Sequence, residues 1–385
     1  MQRFRLTRHQ SASNKTPRQI NLSLVFNLVR TRQPVSRAEL SRLSGLQRST
    51  VSLIVEELIS GGWIIEGEVG RLPRGRRPTF LQVNDKRAVL ALDIHPAQTT
   101  LGIVDLGGRV ISQSIVPLPD DSKLAMNAII KAVKRMVDTH PERALDGIGI
   151  CVPGRADLDQ QKLIFAPNLH WPVLAVKQRI ERATGLRVEM DNVANACALS
   201  EVWFGESDGM HDLVVVNVAE GIGTGIFANG RLLRGEAGMA GEFGHVQMEE
   251  GGPACACGSH GCWEVTASNR AALRYYEQQG GGSRLAAFDT LLHLAQIGEE
   301  HAVAAIQTMA RCLGRGLRMI ASGLAPSEIV IVGDITTVWQ LVSPVIEEEM
   351  RRNAFHSGPR LRPAFEGSLA RLRSAVALVM NDRAL

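Results

Sequence analysis

The sequence predicts an α/β protein in which a small N-terminal domain precedes two related α/β lobes. Three observations support this fold class. The chain has 385 residues, 45% hydrophobic and 21% charged, a composition typical of a globular protein with two or three domains. The first 84 residues combine helical periodicity with a hairpin pattern. A pattern of strands and turns then occurs twice in the rest of the chain.

The charge of the chain is unevenly distributed. Residues 1–84 carry 14 Lys and Arg against 5 Asp and Glu, whereas residues 85–385 carry 29 against 34. A basic head predicts a polyanionic partner, although charge alone is equally compatible with a solvated basic tail. No apolar run approaches the ~20 residues of a membrane helix. The N-terminus lacks the apolar segment of a secretion signal, so we expect a cytoplasmic protein without membrane insertion.

The N-terminal domain begins with polar and basic residues 1–17, which predict a mobile arm. Residues 19–30 have the apolar period of a helix. Ser36 is expected to cap a second helix, with Glu39 at the third helical position completing a capping box. Gly45 ends this helix, and the apolar residues that follow it predict a third helix.

Residues 40–52 have the spacing of a helix-turn-helix motif. Ser41, four residues before Gly45, is small enough for two helices to approach, and Val51 supplies an apolar contact six residues after the glycine. The N-terminal end of the second helix in such a motif reaches base edges in the major groove. The residues predicted to face bases are Gln47, Arg48, Ser49, Thr50 and Ser52.

A basic hairpin follows the third helix and completes a winged helix-turn-helix. Its first strand begins at Trp63, and its second strand covers residues 79–83. The turn between them is rich in arginines, which suit phosphate or minor-groove contacts. The arginines predicted to contact DNA there are Arg74, Arg76 and Arg77. The alternative is an ordinary helical hairpin with a basic loop, but spacing, polarity and charge together favour a DNA-binding domain over residues 1–84.

Two similar runs of strands follow. Each consists of a strand, a polar turn, a second strand, a tight turn and a third strand, and helical stretches come after each run. The strands are predicted at residues 89–93, 99–105 and 109–116, and again at 213–217, 223–228 and 231–233. Two such units predict two α/β lobes facing a cleft. We assign the first lobe to residues 85–192, completed by a C-terminal helix at 368–385, and the second lobe to residues 193–367.

Three of the six cysteines lie within eight residues of one glycine-rich loop, at Cys255, Cys257 and Cys262. In a cytoplasmic protein such a cluster is more typical of a metal site than of a disulfide framework. Structural zinc takes four ligands, mostly Cys and His. We predict one structural zinc ion per chain, with His245 as the fourth ligand and His260 as its competitor. Free thiols in a loop are the alternative.

Two motifs carry a resemblance to a known family. The segment from Gly241 to His245, followed by Cys-x-Cys-Gly-x-x-Gly-Cys-x-Glu ending at Glu264, resembles the signature of the ROK family of repressors, open reading frames and sugar kinases. Further matches in family order are Pro153-Gly154, residues 166–171, residues 191–196 and residues 221–225. With the winged domain ahead of these motifs, the whole chain resembles the repressor branch, whose members respond to xylose, N-acetylglucosamine or glucose. The resemblance implies two actin-like (ribonuclease H-like) lobes with a zinc-binding loop, and a homodimer or homotetramer.

The resemblance also implies a sugar pocket. The residues at the matching positions, expected to bind the sugar, are Asn168, Asn192, Glu242, His245 and Glu264. Carboxylates and amides suit sugar hydroxyls because hydroxyls both donate and accept hydrogen bonds. We expect His245 to bind zinc through one ring nitrogen and to donate to the sugar through the other.

Four departures from the family's kinases weigh against phosphoryl transfer. Val193 occupies the position of the catalytic Asp and cannot accept a proton. In the first phosphate loop, residues 93–97, Pro96 offers no N–H and the glycines are replaced. Glu220 places a negative charge in the second phosphate loop, and Gly333-Asp334 replaces a Gly-Gly pair near the adenosine position. We therefore predict no catalytic residue and no kinase activity.

These expectations combine into one functional hypothesis, a sugar-responsive DNA-binding regulator that represses genes of carbohydrate uptake or catabolism. Its expected partners are a double-stranded DNA operator, a small sugar or sugar-phosphate effector, and other copies of the chain. Two alternatives stay open at this point. One is an active ROK sugar kinase with a DNA-binding head, and the other is an adaptor that binds a sugar-transport component.

Overall fold

The computed structural model describes residues 15–69, 78–157, 162–166, 169, 171–205, 212–281, 285, 287–352, 358–364 and 367–383. The chain divides into two compact units. The first unit ends at Val83, and the second extends from Asn84 to Asp382.

The N-terminal unit contains three helices and a small antiparallel sheet. Its core includes Phe26 and Trp63, whose rings meet edge to face with centroids 6.1 Å apart. The sheet has the strand order β1-β3-β2. The elements are α1 (Lys15–Arg32), β1 (Val35–Ser36), α2 (Arg37–Ser44), α3 (Arg48–Ser60), β2 (Ile64–Val69) and β3 (Thr79–Val83).

Local sequence signals determine where these helices begin and end. The capping box forms as predicted: the Glu39 N–H donates to Ser36 Oγ (3.3 Å), and the Ser36 N–H donates to the Glu39 carboxylate (2.9 Å). Gly45 follows α2 with φ +70°, a left-handed conformation that favours glycine. The prediction of an arm up to residue 17 was wrong in its last three residues, because α1 begins at Lys15. Pro17 fits there because a first-turn residue needs no N–H for the helix.

The first lobe of the second unit is built on a five-stranded mixed sheet of order β10-β7-β4-β5-β6. Strands β4 to β6 form the predicted antiparallel meander, and β7 and β10 add to it in parallel. Helices α4 and α5 contribute to the same apolar core. The elements are β4 (Arg87–Ile94), β5 (Gln98–Asp105), β6 (Val110–Pro117), α4 (Ser122–Asp138), β7 (Ala144–Val152), β8 (Arg155–Asp157), β9 (Lys162–Phe165), α5 (Val176–Thr184) and β10 (Val188–Asn192).

The second lobe repeats this topology. Its sheet has the order β13-β12-β11-β14-β15, again an antiparallel meander extended by two parallel strands. The predicted relation between the two lobes is therefore confirmed at the level of strand order. The elements are α6 (Val193–Phe204), β11 (Leu213–Val218), β12 (Ile222–Ala228), β13 (Arg231–Leu233), α7 (Trp263–Ala267), α8 (Asn269–Gln278), α9 (Phe288–Gln296), α10 (Glu300–Leu324), β14 (Glu328–Val332), α11 (Trp339–Arg351) and β15 (Arg360–Pro363).

The C-terminal helix α12 (Gly367–Arg383) returns to the sheet of the first lobe. A Cβ atom at Gly149 of β7 would lie 2.2 Å from the carbonyl oxygen of Ala375, so only glycine allows this approach. Nearby, Cys151 Sγ lies 3.0 Å from Ser374 Oγ. The first lobe is thus completed by residues from the far end of the chain.

Helix α10 has 25 residues and lies with one apolar face in the core of the second lobe. Arg311, Arg315 and Arg318 are on its more exposed side. Among the described residues, no helix combines the length and the apolar character needed to cross a membrane.

Candidate ligand cleft, metal centre and recognition helix

A cleft between the two lobes contains a cavity of about 330 Å³, a volume typical of small-ligand sites. Its walls include the carboxyl ends of β4, β7 and β10 and the turns that follow β11 and β13. This edge of a parallel sheet is where open α/β folds bind ligands. Four of the predicted sugar ligands line the cavity, namely Asn192, Glu242, His245 and Glu264. The fifth, Asn168, lies outside the described residues.

Asn192 ends β10 and caps α6. Its Oδ1 accepts a hydrogen bond from the Ala194 N–H (2.8 Å), and its Nδ2 donates to the Gly154 carbonyl (2.6 Å). The amide retains one hydrogen and one lone pair for a ligand hydroxyl. Val193, in the first turn of α6, is buried and lines the same cavity. An aliphatic group therefore stands at the position expected of a catalytic carboxylate.

A 3-10 turn over Glu242–His245 and the first turn of α7 carry the remaining predicted ligands. His245 Nε2 lies 3.7 Å from Glu242 Oε2, and His245 Nδ1 lies 3.7 Å from Glu264 Oε1. The side chain of Glu242 is 40% exposed and that of Glu264 only 10%. Two carboxylates beside an imidazole offer the mixture of acceptors and donors that neighbouring sugar hydroxyls require.

The predicted metal ligands converge in space. One ligand atom from each of His245, Cys255, Cys257 and Cys262 lies within 4.8 Å of all the others. The Cys257 and Cys262 sulfurs are 3.8 Å apart, and Cys255 Sγ is 3.6 Å from His245 Nδ1. A zinc tetrahedron with the usual bond lengths has S–S edges of about 3.8 Å and S–N edges of about 3.6 Å. The donor types suit zinc, and these two separations match the edges of its tetrahedron. His260 is exposed and does not belong to this group of described residues.

The polar residues of the cleft that the sequence did not reveal as site residues include Asp191, Asn195, Asn217 and Arg234. Arg234 Nη2 lies 2.8 Å from Asp191 Oδ2, and Asn195 donates to Asp191 Oδ1 (3.3 Å). Asn217 Oδ1 is buried without a hydrogen-bond partner in the described structure, so it can accept a bond from a ligand. Asp191 and Asn195 belong to a matched motif and were identifiable from it. Arg234 and Asn217 carried no spacing signal.

Another part of the cleft holds a cluster of four charged residues, the cleft ion cluster, formed by Asp93, His95, Glu220 and Arg371. Asp93 Oδ2 lies 2.8 Å from His95 Nε2 and 3.0 Å from Arg371 Nε. His95 Nδ1 lies 3.6 Å from Glu220 Oε2. His95 follows β4 in the first lobe, and Glu220 follows β11 in the second. Their ion pair therefore crosses the cleft.

The contacts within the cleft ion cluster favour the charged forms. Burial disfavours the Asp93 carboxylate, but the charges of Arg371 and His95 prevail and lower its pKa to about 2. Burial also disfavours protonated His95, yet the Asp93 carboxylate raises the pKa of His95 to about 9. Burial disfavours the Glu220 carboxylate, but its contact with His95, a backbone hydrogen bond and the charge of Arg371 together lower its pKa to about 2. All four groups are charged at neutral pH.

The glycines at residues 221–225, which match a phosphate loop, also have a packing role. A Cβ atom at Gly225 would lie 2.2 Å from the carbonyl oxygen of Ala194, and one at Gly223 would lie 3.3 Å from the Ala194 Cβ. Helix α6 packs directly on β12 at this point. Gly225 is therefore required by helix–strand packing alone, and its presence does not imply phosphate binding.

Within the N-terminal unit, α3 presents the predicted base-contacting residues. The buried face of α3 consists of Val51, Ile54, Val55 and Leu58. Gln47, Arg48 and Ser49 are exposed, and Thr50 and Ser52 are half-buried. Gln47 is the N-cap of α3 but makes no side-chain cap bond, which leaves its amide available. Leu53, which sequence analysis did not single out, is 68% exposed. The wing arginines Arg74, Arg76 and Arg77 lie outside the described residues.

Known proteins resemble this chain over most of its length. Residues 89–381 match the model of the ROK family. The xylose repressor of Bacillus subtilis (strain 168) is 30% identical over 342 residues, 88% of each chain. A solved ROK family transcriptional regulator, a homologue of the E. coli MLC protein, is 28% identical with a TM-score of 0.74 and covers 95% of this chain and 97% of its own. A ROK family glucokinase from Streptomyces griseus, solved with glucose and AMPPNP, is 30% identical with a TM-score of 0.70 and covers 76% of this chain and 99% of its own.

Proposed function

This chain belongs to the ROK family, and we propose that it is a sugar-responsive DNA-binding transcriptional repressor without kinase activity. One observation carries the proposal. The cleft retains polar groups suited to sugar hydroxyls, whereas Val193 and the cleft ion cluster stand where phosphoryl transfer needs a base and phosphate-binding groups. A two-lobed unit of this kind can act by binding, without the base and phosphate-binding groups that a kinase needs. Its similarity to a xylose repressor and to a transcriptional regulator supports the same function.

The N-terminal unit is the proposed DNA-binding part. Helices α2 and α3, joined at Gly45, have the arrangement of a helix-turn-helix, and strands β2 and β3 form the wing. The exposed residues at the start of α3 would read base edges in the major groove, and Arg74, Arg76 and Arg77 would contact the backbone or minor groove. The excess of basic residues over residues 1–84 supports this assignment.

Zinc is the proposed cofactor, one structural ion per chain held by His245, Cys255, Cys257 and Cys262. Four protein ligands leave no open position, so the ion would have no catalytic role. With His245 Nδ1 on the metal side, Nε2 faces Glu242 and the cleft. The metal would thereby fix the tautomer and orientation of a ring that also contacts the sugar.

The proposed sugar ligands come from both lobes, Asn192 from the first and Glu242, His245 and Glu264 from the second. A sugar that contacts both sides binds one lobe arrangement better than another, which is the requirement for allostery. If two chains associate, the lobe angle sets the spacing of their DNA-binding units. Operator half-sites require a fixed spacing near one helical turn or a multiple of it. A small lobe rotation is therefore sufficient to lower operator affinity.

The test is to measure operator affinity by fluorescence anisotropy with the full chain. The operator would first be selected from random double-stranded DNA, and D-xylose, D-glucose and N-acetyl-D-glucosamine would then be titrated. We expect one of these sugars to lower operator affinity by about 5–150-fold, the usual range of allosteric coupling. Glu242→Ala should bind operator normally and lose the sugar effect. Glu250→Ala, the same substitution at an exposed site outside the cleft lining, should retain it.

Two results would contradict the proposal. One is a chain that selects no DNA sequence. The other is a sugar that binds tightly to the two-lobed second unit and leaves the operator affinity of the wild-type protein unchanged.

A sugar kinase is the second candidate, favoured by the similarity to a glucokinase at 30% identity. A coupled assay with ATP and a panel of hexoses separates the two functions. We expect no turnover above background because Val193 cannot take the proton of the attacking hydroxyl and Glu220 repels phosphate. Sustained ADP formation with any hexose would favour the kinase.

A further inference from the structure

The charged residues of the cleft bear on the kind of ligand that it accepts. Four cations line the described part of the cavity, namely His95, Arg155, Arg234 and Arg371. Three of them already contact carboxylates of the protein. Arg371 and His95 contact Asp93, His95 also contacts Glu220, and Arg234 contacts Asp191. These cations are therefore largely neutralised before any ligand arrives.

Arg155 differs from the other three, since its guanidinium contacts the sulfur of Met239 and no carboxylate in the described structure. It belongs to β8, at the end of the short strand pair. A single arginine of this kind is a weak basis for binding a phosphate dianion, which proteins usually surround with several donors.

The carboxylates of the cleft act against an anion. Asp191, Glu220, Glu242 and Glu264 line the cavity, and Asp93 contacts the lining residues His95 and Arg371. A phosphate group in this space would either face these carboxylates or have to separate Asp93 from the buried Arg371. Both alternatives are unfavourable, because like charges repel and a broken buried ion pair leaves an uncompensated charge.

We propose that the cleft binds an uncharged sugar and excludes the phosphate ester of that sugar, and that Glu220 is the residue that enforces this selection. The inference rests on the proposed sugar-binding function and narrows its ligand class. Glu220 is the decisive residue because it is the partner of His95 on the opposite lobe, with 39% of its side chain exposed. Without this side chain's charge, the cluster would carry a net positive charge, because the single carboxylate of Asp93 would face both His95 and Arg371.

Isothermal titration calorimetry on the full zinc-loaded chain tests the proposal with matched pairs of ligands. The pairs are D-xylose and D-xylose 5-phosphate, D-glucose and D-glucose 6-phosphate, and N-acetyl-D-glucosamine and its 6-phosphate. For the sugar that binds, we expect the phosphate ester to bind the wild-type chain at least about tenfold more weakly. Glu220→Gln should reduce this difference by roughly tenfold, since it removes a charge and keeps the shape of the side chain. Glu348→Gln, the same change on the exposed side of α11, should leave the difference as in the wild type.

Arg155→Ala provides an independent control. We expect no change in the ratio of the two affinities, because the proposal assigns no phosphate contact to Arg155. A loss of phosphate-ester binding in this variant, together with strong binding of the ester by the wild type, would identify Arg155 as a phosphate ligand and overturn the proposal.

The remaining outcomes also decide the proposal. The comparison of a sugar with its phosphate ester on the wild-type chain does not depend on the folding of any variant. A phosphate ester that binds the wild-type chain as tightly as its parent sugar overturns the selection but leaves sugar sensing intact. An unchanged difference in Glu220→Gln overturns the role of Glu220. If neither member of any pair binds, both this inference and the proposed function fail.

Discussion

At the scale of single residues, the metal centre shows how one side chain serves two sites. The His245 ring has Nδ1 next to Cys255 Sγ and Nε2 next to Glu242. Cysteine spacing predicted the cluster, but sequence alone left His245 and His260 as competing ligands. The fold brings His245 to the three cysteines and leaves His260 exposed.

The zinc assignment predicts that Cys257→Ser lowers the metal content from about one ion per chain to well below half, because a serine hydroxyl is a poor zinc ligand. We expect the sugar response to be lost as well, since His245 would no longer be held in place. Elemental analysis of gel-filtered protein is the measurement. Cys312→Ser, outside the cluster, serves as control and should retain its zinc. Undiminished zinc in Cys257→Ser would disprove this ligand set.

His95 predicts a specific dependence of stability on pH. Its pKa in the folded chain is about 9, above the ordinary value of 6.5, because the carboxylates of Asp93 and Glu220 outweigh its burial and the opposing charge of Arg371. Its contribution to stability is therefore complete below pH ~6.5 and is lost as the pH rises towards about 9. The contribution is at most about 3 kcal/mol.

The measurement is the melting temperature of the wild-type chain and of His95→Gln between pH 6 and about 9.5. We expect the wild type to be the more stable at pH 6 and the difference to shrink towards the alkaline end. If the melting temperatures of the two proteins varied with pH in parallel, the charge of His95 would not stabilise the two-lobed unit.

At the scale of elements, α3 and the wing are expected to affect DNA binding differently. Arg48→Ala should cost ~1–3 kcal/mol at the selected operator and relax its sequence preference, because Arg48 is assigned to base edges. Replacing Arg76 and Arg77 with Ala should weaken binding to all sequences alike and reduce the salt dependence, because both are assigned to the backbone or minor groove.

Anisotropy titrations of selected and scrambled DNA at several salt concentrations measure both effects. The matched control is Arg182→Ala, which replaces an exposed arginine of α5 in the first lobe. This variant should bind DNA as the wild type does. Unchanged operator binding by the Arg76→Ala, Arg77→Ala variant at physiological salt would refute the wing assignment.

Helix α6 illustrates an element whose sequence serves packing and binding together. Its N-cap residue Asn192 accepts a hydrogen bond from the Ala194 N–H and donates one to the Gly154 carbonyl. The proposed sugar ligand therefore also connects α6 to the segment around Gly154. The glycines of β12 allow α6 to approach the sheet. A motif that matches a nucleotide-binding loop can thus be required for packing whether or not the loop binds phosphate.

At the scale of the whole molecule, the two lobes share a strand order and meet at a cleft to which both contribute charged groups. The ion pairs His95–Glu220 and Arg234–Asp191 each join one lobe to the other. A ligand that binds between the two lobes adds contacts of its own to these ion pairs, and so changes the interactions that join the lobes across the cleft. This is the physical basis for expecting that sugar binding changes the lobe angle and, through it, operator affinity.

The sequence by itself determined the features that depend on neighbouring residues. The capping box of Ser36 and Glu39, the turn at Gly45 and the cysteine cluster were predictable because each involves a few positions close together in the chain. The paired meanders were predictable for the same reason, since alternating apolar residues and tight turns are local patterns.

The tertiary structure decided which distant residues meet. In the sequence, Glu220 indicates only a negative charge in a phosphate loop, whereas the fold pairs Glu220 with His95, 125 positions away. It also places Arg371 on Asp93 and Ala375 against Gly149, contacts that complete the first lobe with the last helix. Such pairs depend on how two sheets and a returning helix pack, and no short-range pattern encodes the distance between them.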